Sequence, residues 1–97
     1  MNDAYPTKEM KELFAAITSI QDEKEAAAFF RDLLTLAELE EFANRWQMVK
    51  LLVQKKPYAE IAKTLKVSTT TVTRVAQWLH HGMGGYKSVS ERVFKKL

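Results

Sequence analysis

Ninety-seven residues with no cysteine make one small domain, without a disulfide framework or a thiolate metal site. The opening stretch MNDAYPTKEMKEL lacks a basic start followed by an apolar run, and no apolar run reaches membrane-spanning length, so neither a secretory leader nor a membrane anchor is expected and the expected setting is a reducing cytoplasm. The net charge of +3 divides unevenly: residues 1–41 carry 4 Lys/Arg and 10 Asp/Glu, a net of −6, while residues 42–97 carry 11 and 2, a net of +9, an asymmetry that suits a nucleic-acid binder.

Pro6 suits the first turn of a helix, and Met10, Leu13, Phe14, Ile17 and Ile20 form one apolar stripe behind it. A first helix from about Thr7 to Ile20 follows. Asp22, with Glu25 three residues on, predicts a capping box and a second helix from Glu23 to Leu34. Its inner face is Ala26, Phe29, Phe30, Leu33 and Leu34. Thr35 and Glu38 form the next capping box, and a long third helix can run to Lys55, with Pro57 enforcing the stop near Lys56. The second half of that helix, Trp46, Met48, Val49, Leu51, Leu52 and Val53, is apolar on most sides. A helix apolar nearly all round must be buried nearly all round. Cover from a second subunit is therefore expected, with residues 1–56 as dimerisation helices.

The stretch YAEIAKTLKVSTTTVTRVAQ, Tyr58 to Gln77, has the spacing of a helix-turn-helix, within a segment of residues 57–80. Ile61, Leu65, Val67, Val72 and Val75 fall where two short helices bury their inner faces, and Ala62 falls where they cross. Lys66 and Val67 form the turn, and Ser68 can cap the second helix. Lys66 stands where a left-handed backbone usually calls for glycine. Thr69, Thr70, Thr73 and Gln77 would then be exposed to read base edges, the threonine methyl suiting thymine. Lys55, Lys56, Lys63, Lys66, Ser68 and Arg74 are the candidate phosphate contacts. An ordinary helical hairpin with no DNA role fits the same spacing, as would a protein-interaction module that kept the shape.

The second helix of the motif can extend to His80, with Gly82 as its C-cap and Gly82, Met83, Gly84 and Gly85 as a flexible joint. Ser88 with Glu91 predicts the cap of a last helix within residues 86–97, its apolar face being Val89, Val93, Phe94 and Leu97. No stretch reads as a strand, so the expected class is all-α, with six helices. Catalysis finds little support. Adjacent His80 and His81 point about 100° apart on a helix, GMGGY lacks the strand and Lys-Ser/Thr of a phosphate-binding loop, and no base neighbours Thr69, Thr70 or Thr71 in a recognised pattern. No enzyme activity, metal or cofactor is expected.

At Leu34-Thr35-x-x-Glu38, then Asn44-Arg45, then Thr71-Val72-Thr73-Arg74, the chain resembles the Trp repressor superfamily, and within it the TrpR-related YerC/YecD family. The resemblance covers about residues 30–97. It implies an all-helical, intertwined homodimer with two helix-turn-helix heads, acting on double-stranded DNA as a repressor-like regulator. It also implies a possible effector pocket at Thr35, Arg45, Thr71 and Arg74, where the family holds tryptophan between the long helix and the recognition helix. Helix-surface charge or phosphate contact are the other roles open to Arg45 and Arg74. Val75 stands at the family's small glycine, and Trp78 at the serine facing the ligand's amino group. Val75 would fill space the ligand needs and Trp78 is large enough to occupy the pocket, so free L-tryptophan is not the expected effector.

Overall fold

The computed structural model describes residues 4–94. These form six α-helices and no strand: α1 Lys8–Thr18, α2 Glu23–Leu33, α3 Leu36–Val53, α4 Tyr58–Leu65, α5 Thr69–His81 and α6 Gly85–Val93. They divide into two compact units, one up to Leu36 and the other from Ala37 onward.

In the first unit, side-chain caps set the helix starts. Thr7 caps α1 by accepting from the Met10 amide at 3.1 Å, which leaves Pro6 before the cap and not in the first turn. Asp22 caps α2 by accepting from the Glu25 amide at 2.8 Å. Glu25 returns the bond to the Gln21 amide at 2.9 Å, one residue earlier than a standard capping box. Neither helix buries a single residue. Tyr5 meets Phe14 edge-on at 6.3 Å and Phe29 meets Phe30 at 5.5 Å, but Met10, Phe14 and Leu33 remain exposed.

The second unit holds the core. It consists of Met48, Val49 and Leu52 from α3, Ile61 and Ala62 from α4, and Val72, Val75, Ala76 and Leu79 from α5. Trp46, Leu51, Val53, Leu65, Val67 and Tyr86 pack around it. The apolar second half of α3 is thus covered largely by its own chain, against expectation. α4, α5 and α6 supply the cover. The apolar residues left open on α3 are at its start, where Leu36 and Phe42 are exposed.

The end of α3 is a Schellman turn. Lys55 takes a left-handed φ of 66°, its amide bonds the Leu52 carbonyl at 3.0 Å, and the Lys56 amide bonds that of Leu51 at 3.1 Å. The last helix corrects the sequence expectation twice. It starts at Gly85 behind a left-handed Gly84, φ 89°, and is not capped by Ser88. Ser88 lies inside it, and its hydroxyl accepts from Arg92 at 3.4 Å. The earlier start puts Tyr86, Ser90 and Phe94 on the inner face, four residues apart. Ser90 is buried and donates to the Lys87 carbonyl at 3.2 Å. Trp46 meets Tyr86 at 6.1 Å and Phe94 at 5.1 Å. Val89 and Val93, expected inside, are exposed. Leu97 lies outside the described residues. The supposed flexible joint is reduced to a short turn between two helices.

Candidate nucleic-acid interface

α4 begins after Pro57, whose fixed φ of −61° feeds the chain into the helix, and ends at Lys66. Lys66 takes φ 59°, ψ 46°, the left-handed conformation expected at this turn. The Lys66 and Val67 amides both bond the Ala62 carbonyl, the latter at 3.0 Å, which closes the α4 end. Ser68 then caps α5, accepting from the Thr71 amide at 3.1 Å, and its hydroxyl also pairs with that of Thr71 at 3.0 Å. Two short helices are thereby set against each other with Ile61, Ala62, Val72 and Val75 all buried between them and α3.

Successive residues of α5 turn by about 100°. With Val72, Val75, Ala76 and Leu79 facing inward, Thr69, Thr70, Thr73, Arg74 and Gln77 fall on the outward arc, and all five are exposed. Thr69, Thr73 and Gln77 lie four residues apart and so form one row. Thr73 donates its hydroxyl to the Thr69 carbonyl at 2.9 Å. The phosphate candidates Lys55, Lys56, Lys63, Lys66 and Arg74 are exposed, and none has a carboxylate partner among the described residues. Backbone amides at the α5 start add partial positive charge. The Ser68 hydroxyl is occupied by the cap.

Behind this surface, α3 and α5 enclose a cleft of about 340 Å³. Arg45, Thr71, Arg74, Val75 and Trp78 all line it; Thr35 belongs to the first unit. Arg45 is already engaged. Its Nη2 donates to Glu41 Oε2 at 2.9 Å, and its guanidinium lies 5.8 Å from the Phe42 ring centre. Arg74 has no such partner among the described residues. Val75 is in the core, as its place in the motif requires. Trp78 does not plug the cleft: it is 45% exposed and forms a wall, shared with a second, more apolar cavity of about 570 Å³. That cavity, lined also by Trp46, Met83 and Tyr86, escaped the sequence reading, because GMGGY looked like a hinge and Tyr86 lay outside the expected apolar face. Among the described residues no cluster of His, Asp and Glu could hold a metal ion, and no helix is long and apolar enough to cross a membrane.

The chain matches the family model described as Trp repressor protein over residues 8–94. The uncharacterized protein YerC of Bacillus subtilis (strain 168) is 34% identical over 86 residues, 89% of this chain and 83% of that protein. A TrpR-like protein from Eubacterium eligens ATCC 27750 has the same fold, with a TM-score of 0.85 and 35% identity over 96% of each chain. A putative Trp repressor from Staphylococcus aureus has a TM-score of 0.81 and 32% identity, over 91% of this chain and 88% of that one. With a helix-turn-helix at Tyr58–His81 and a family match spanning nearly the whole chain, the protein belongs to the Trp repressor family, within its YerC-like group.

Proposed function

We propose that the protein is a DNA-binding transcriptional regulator that works in the cytoplasm as a homodimer, with α5 of each subunit entering the major groove. The observation that carries this reading is the outer arc of α5: short polar side chains at Thr69, Thr70, Thr73 and Gln77 beside cations that, among the described residues, no carboxylate neutralises. Lys55, Lys56, Lys63, Lys66 and Arg74, with the amides behind the Ser68 cap, engage phosphates and set the register. A two-fold dimer places two such heads on one face of the duplex, so the site is a rough palindrome with half-sites about one helical turn apart. Family membership and the acidic-to-basic charge division point the same way.

The exposed apolar surface of the first unit supports the dimer reading. No residue of α1 or α2 is fully buried, Met10, Phe14 and Leu33 are exposed, and so are Leu36 and Phe42 of α3, although each helix has an apolar stripe. A second subunit is the cover we assign to them. No small-molecule effector is assigned to the α3–α5 cleft.

Fluorescence anisotropy with labelled duplex DNA over a range of salt concentrations tests the reading. With roughly six phosphates neutralised, log affinity falls against log salt with a slope near −5. A response flat in salt, or no binding to any duplex at low salt, overturns it.

A further inference from the structure

We propose that Thr73 recognises thymine through its methyl group, which makes an A·T base pair the one read at the centre of the α5 row. The proposal rests on the DNA-binding reading above and adds the identity of a base. A threonine can meet a base edge as a hydroxyl donor, a hydroxyl acceptor or a methyl. At Thr73 the donor is already committed, which leaves the methyl and the hydroxyl's lone pairs; the comparison of Ser and Val at this position separates the two. The hydroxyl hydrogen goes to the Thr69 carbonyl at 2.9 Å, one turn back. That bond also fixes the side-chain rotamer, so the methyl is held in one orientation on an exposed part of the arc.

Thr71, the next threonine toward the turn, is excluded from reading for a different reason. It is half-buried, and its hydroxyl is paired with Ser68 at 3.0 Å. The strongest guanine-reading groups, Arg and Lys, are absent from the row Thr69–Thr73–Gln77. Arg74, the one Arg or Lys in α5, is turned about 100° from Thr73 and lines the cleft with α3. Gln77, the next member of the row, carries the amide that pairs with adenine N6 and N7. The chemistry offered along the row is thus suited to A·T pairs, with the Thr73 methyl seated against the C5 methyl of thymine.

The test begins by selecting bound duplexes from a random pool with the full chain at low salt. Each thymine of the selected half-site is then replaced in turn by deoxyuridine, which removes only the C5 methyl, and affinity is measured by anisotropy. For the unmodified protein, one position in each half-site loses about fourfold, the worth of one methyl-sized apolar contact. Thr73→Ser keeps the hydroxyl and its bond to Thr69 but lacks the methyl. It binds the thymine duplex about fourfold more weakly and does not distinguish uracil there. Thr73→Val keeps methyls and lacks the hydroxyl, and it retains the discrimination. Thermal melts of both variants check that the fold is intact.

Binding that survives with every thymine replaceable by uracil overturns the Thr73 assignment and leaves the DNA-binding reading standing. So does Thr73→Ser that still discriminates, or Thr73→Val that does not. Failure to bind any duplex overturns both.

Discussion

Arg45 on α3 holds Glu41, one turn earlier on the same helix, at 2.9 Å, while Arg74 across the cleft on α5 holds no carboxylate among the described residues. The cleft that would receive an anionic effector therefore has one of its two guanidinium groups already occupied by the chain itself. The pair is not needed for folding, because exposed i,i+4 ion pairs are worth only about 0.3–0.5 kcal/mol; Arg45 and Glu41 side chains are 38% and 66% exposed. Calorimetric titration with L-tryptophan is expected to give no stoichiometric binding in the micromolar range. Glu41→Gln is expected to leave the melting temperature within a few degrees of the parent. Stoichiometric micromolar binding of tryptophan by the parent protein would show that neither Glu41 nor Val75 obstructs the cleft.

Lys66 combines a backbone cost with a charge. A left-handed conformation costs a non-glycine residue roughly 1–2 kcal/mol, and the φ of 59° is required to turn from α4 into α5. Lys66→Gly is expected to raise stability by about 1 kcal/mol, or about 4–8 °C in melting temperature. It also removes a cation, so DNA affinity falls by a similar factor for all sequences and the salt slope becomes shallower by about 1. Lys66→Ala keeps the strain and loses the charge, so it shows the affinity loss alone. Urea melts and anisotropy titrations on the two variants separate the terms. A Lys66→Gly protein no more stable than Lys66→Ala would mean that the turn is not strained.

The helix-turn-helix was legible because its constraints are local. Ile61, Ala62, Val72 and Val75 are tied by short, fixed spacing to one crossing of two helices, and all four are buried. Ser68 caps α5 as its position suggested, because a hydroxyl three residues before an open amide has an obvious partner. The last helix differs in phase from its sequence expectation. Ser88-x-x-Glu91 looked like a start signal, but left-handed Gly84 begins the helix earlier and turns Ser90 inward instead of Val89 and Val93. A buried serine in that place has no signature in hydropathy, since its polarity is satisfied by its own helix. The apolar surround of Trp46, Leu51 and Val53 could be recognised, but not its source. Non-local packing by α4–α6 decided that. The rotamer of Thr73 and the pairing of Arg45 are geometric facts that residue types alone do not specify.

Gly82 follows α5 and has little room for a side chain. A Cβ at this position would press into the backbone carbonyl of Trp78, to which the Gly82 amide also donates at 3.0 Å. Backbone oxygen has no flexible end to move aside, so the last turn of α5 has to open. Gly82→Ala is expected to destabilise the protein by about 1–3 kcal/mol. It should also shift Trp78 fluorescence, since that indole walls both cavities. Gly85→Ala is the control, with nothing near its Cβ position. It is expected to melt within about 0.5 kcal/mol of the parent. Equal melting of the two variants would mean that α5 ends with more slack than the Gly82–Trp78 contact implies.

Phe14 distinguishes a solitary chain from a dimer. In the single chain it is 40% exposed on a helix with no fully buried residue, touched edge-on by Tyr5. If that face met water, Phe14→Asp would cost little, as surface changes usually stay within about 0.5 kcal/mol. If a second subunit covers it, the substitution removes a buried aromatic worth about 1.5–3 kcal/mol and puts a carboxylate in its place, in both copies of the interface. We expect the parent to sediment as a dimer with a melting temperature that rises with protein concentration, as linkage to association requires. Phe14→Asp is expected to sediment as a monomer or unfold, and to lose cooperative binding to a two-half-site duplex. Lys8→Asp, a charge change at an exposed position on the same helix, serves as the comparison and should remain dimeric. A monomeric parent, or a Phe14→Asp variant that is fully dimeric and equally stable, would leave the open apolar face of α1 without the partner assigned to it.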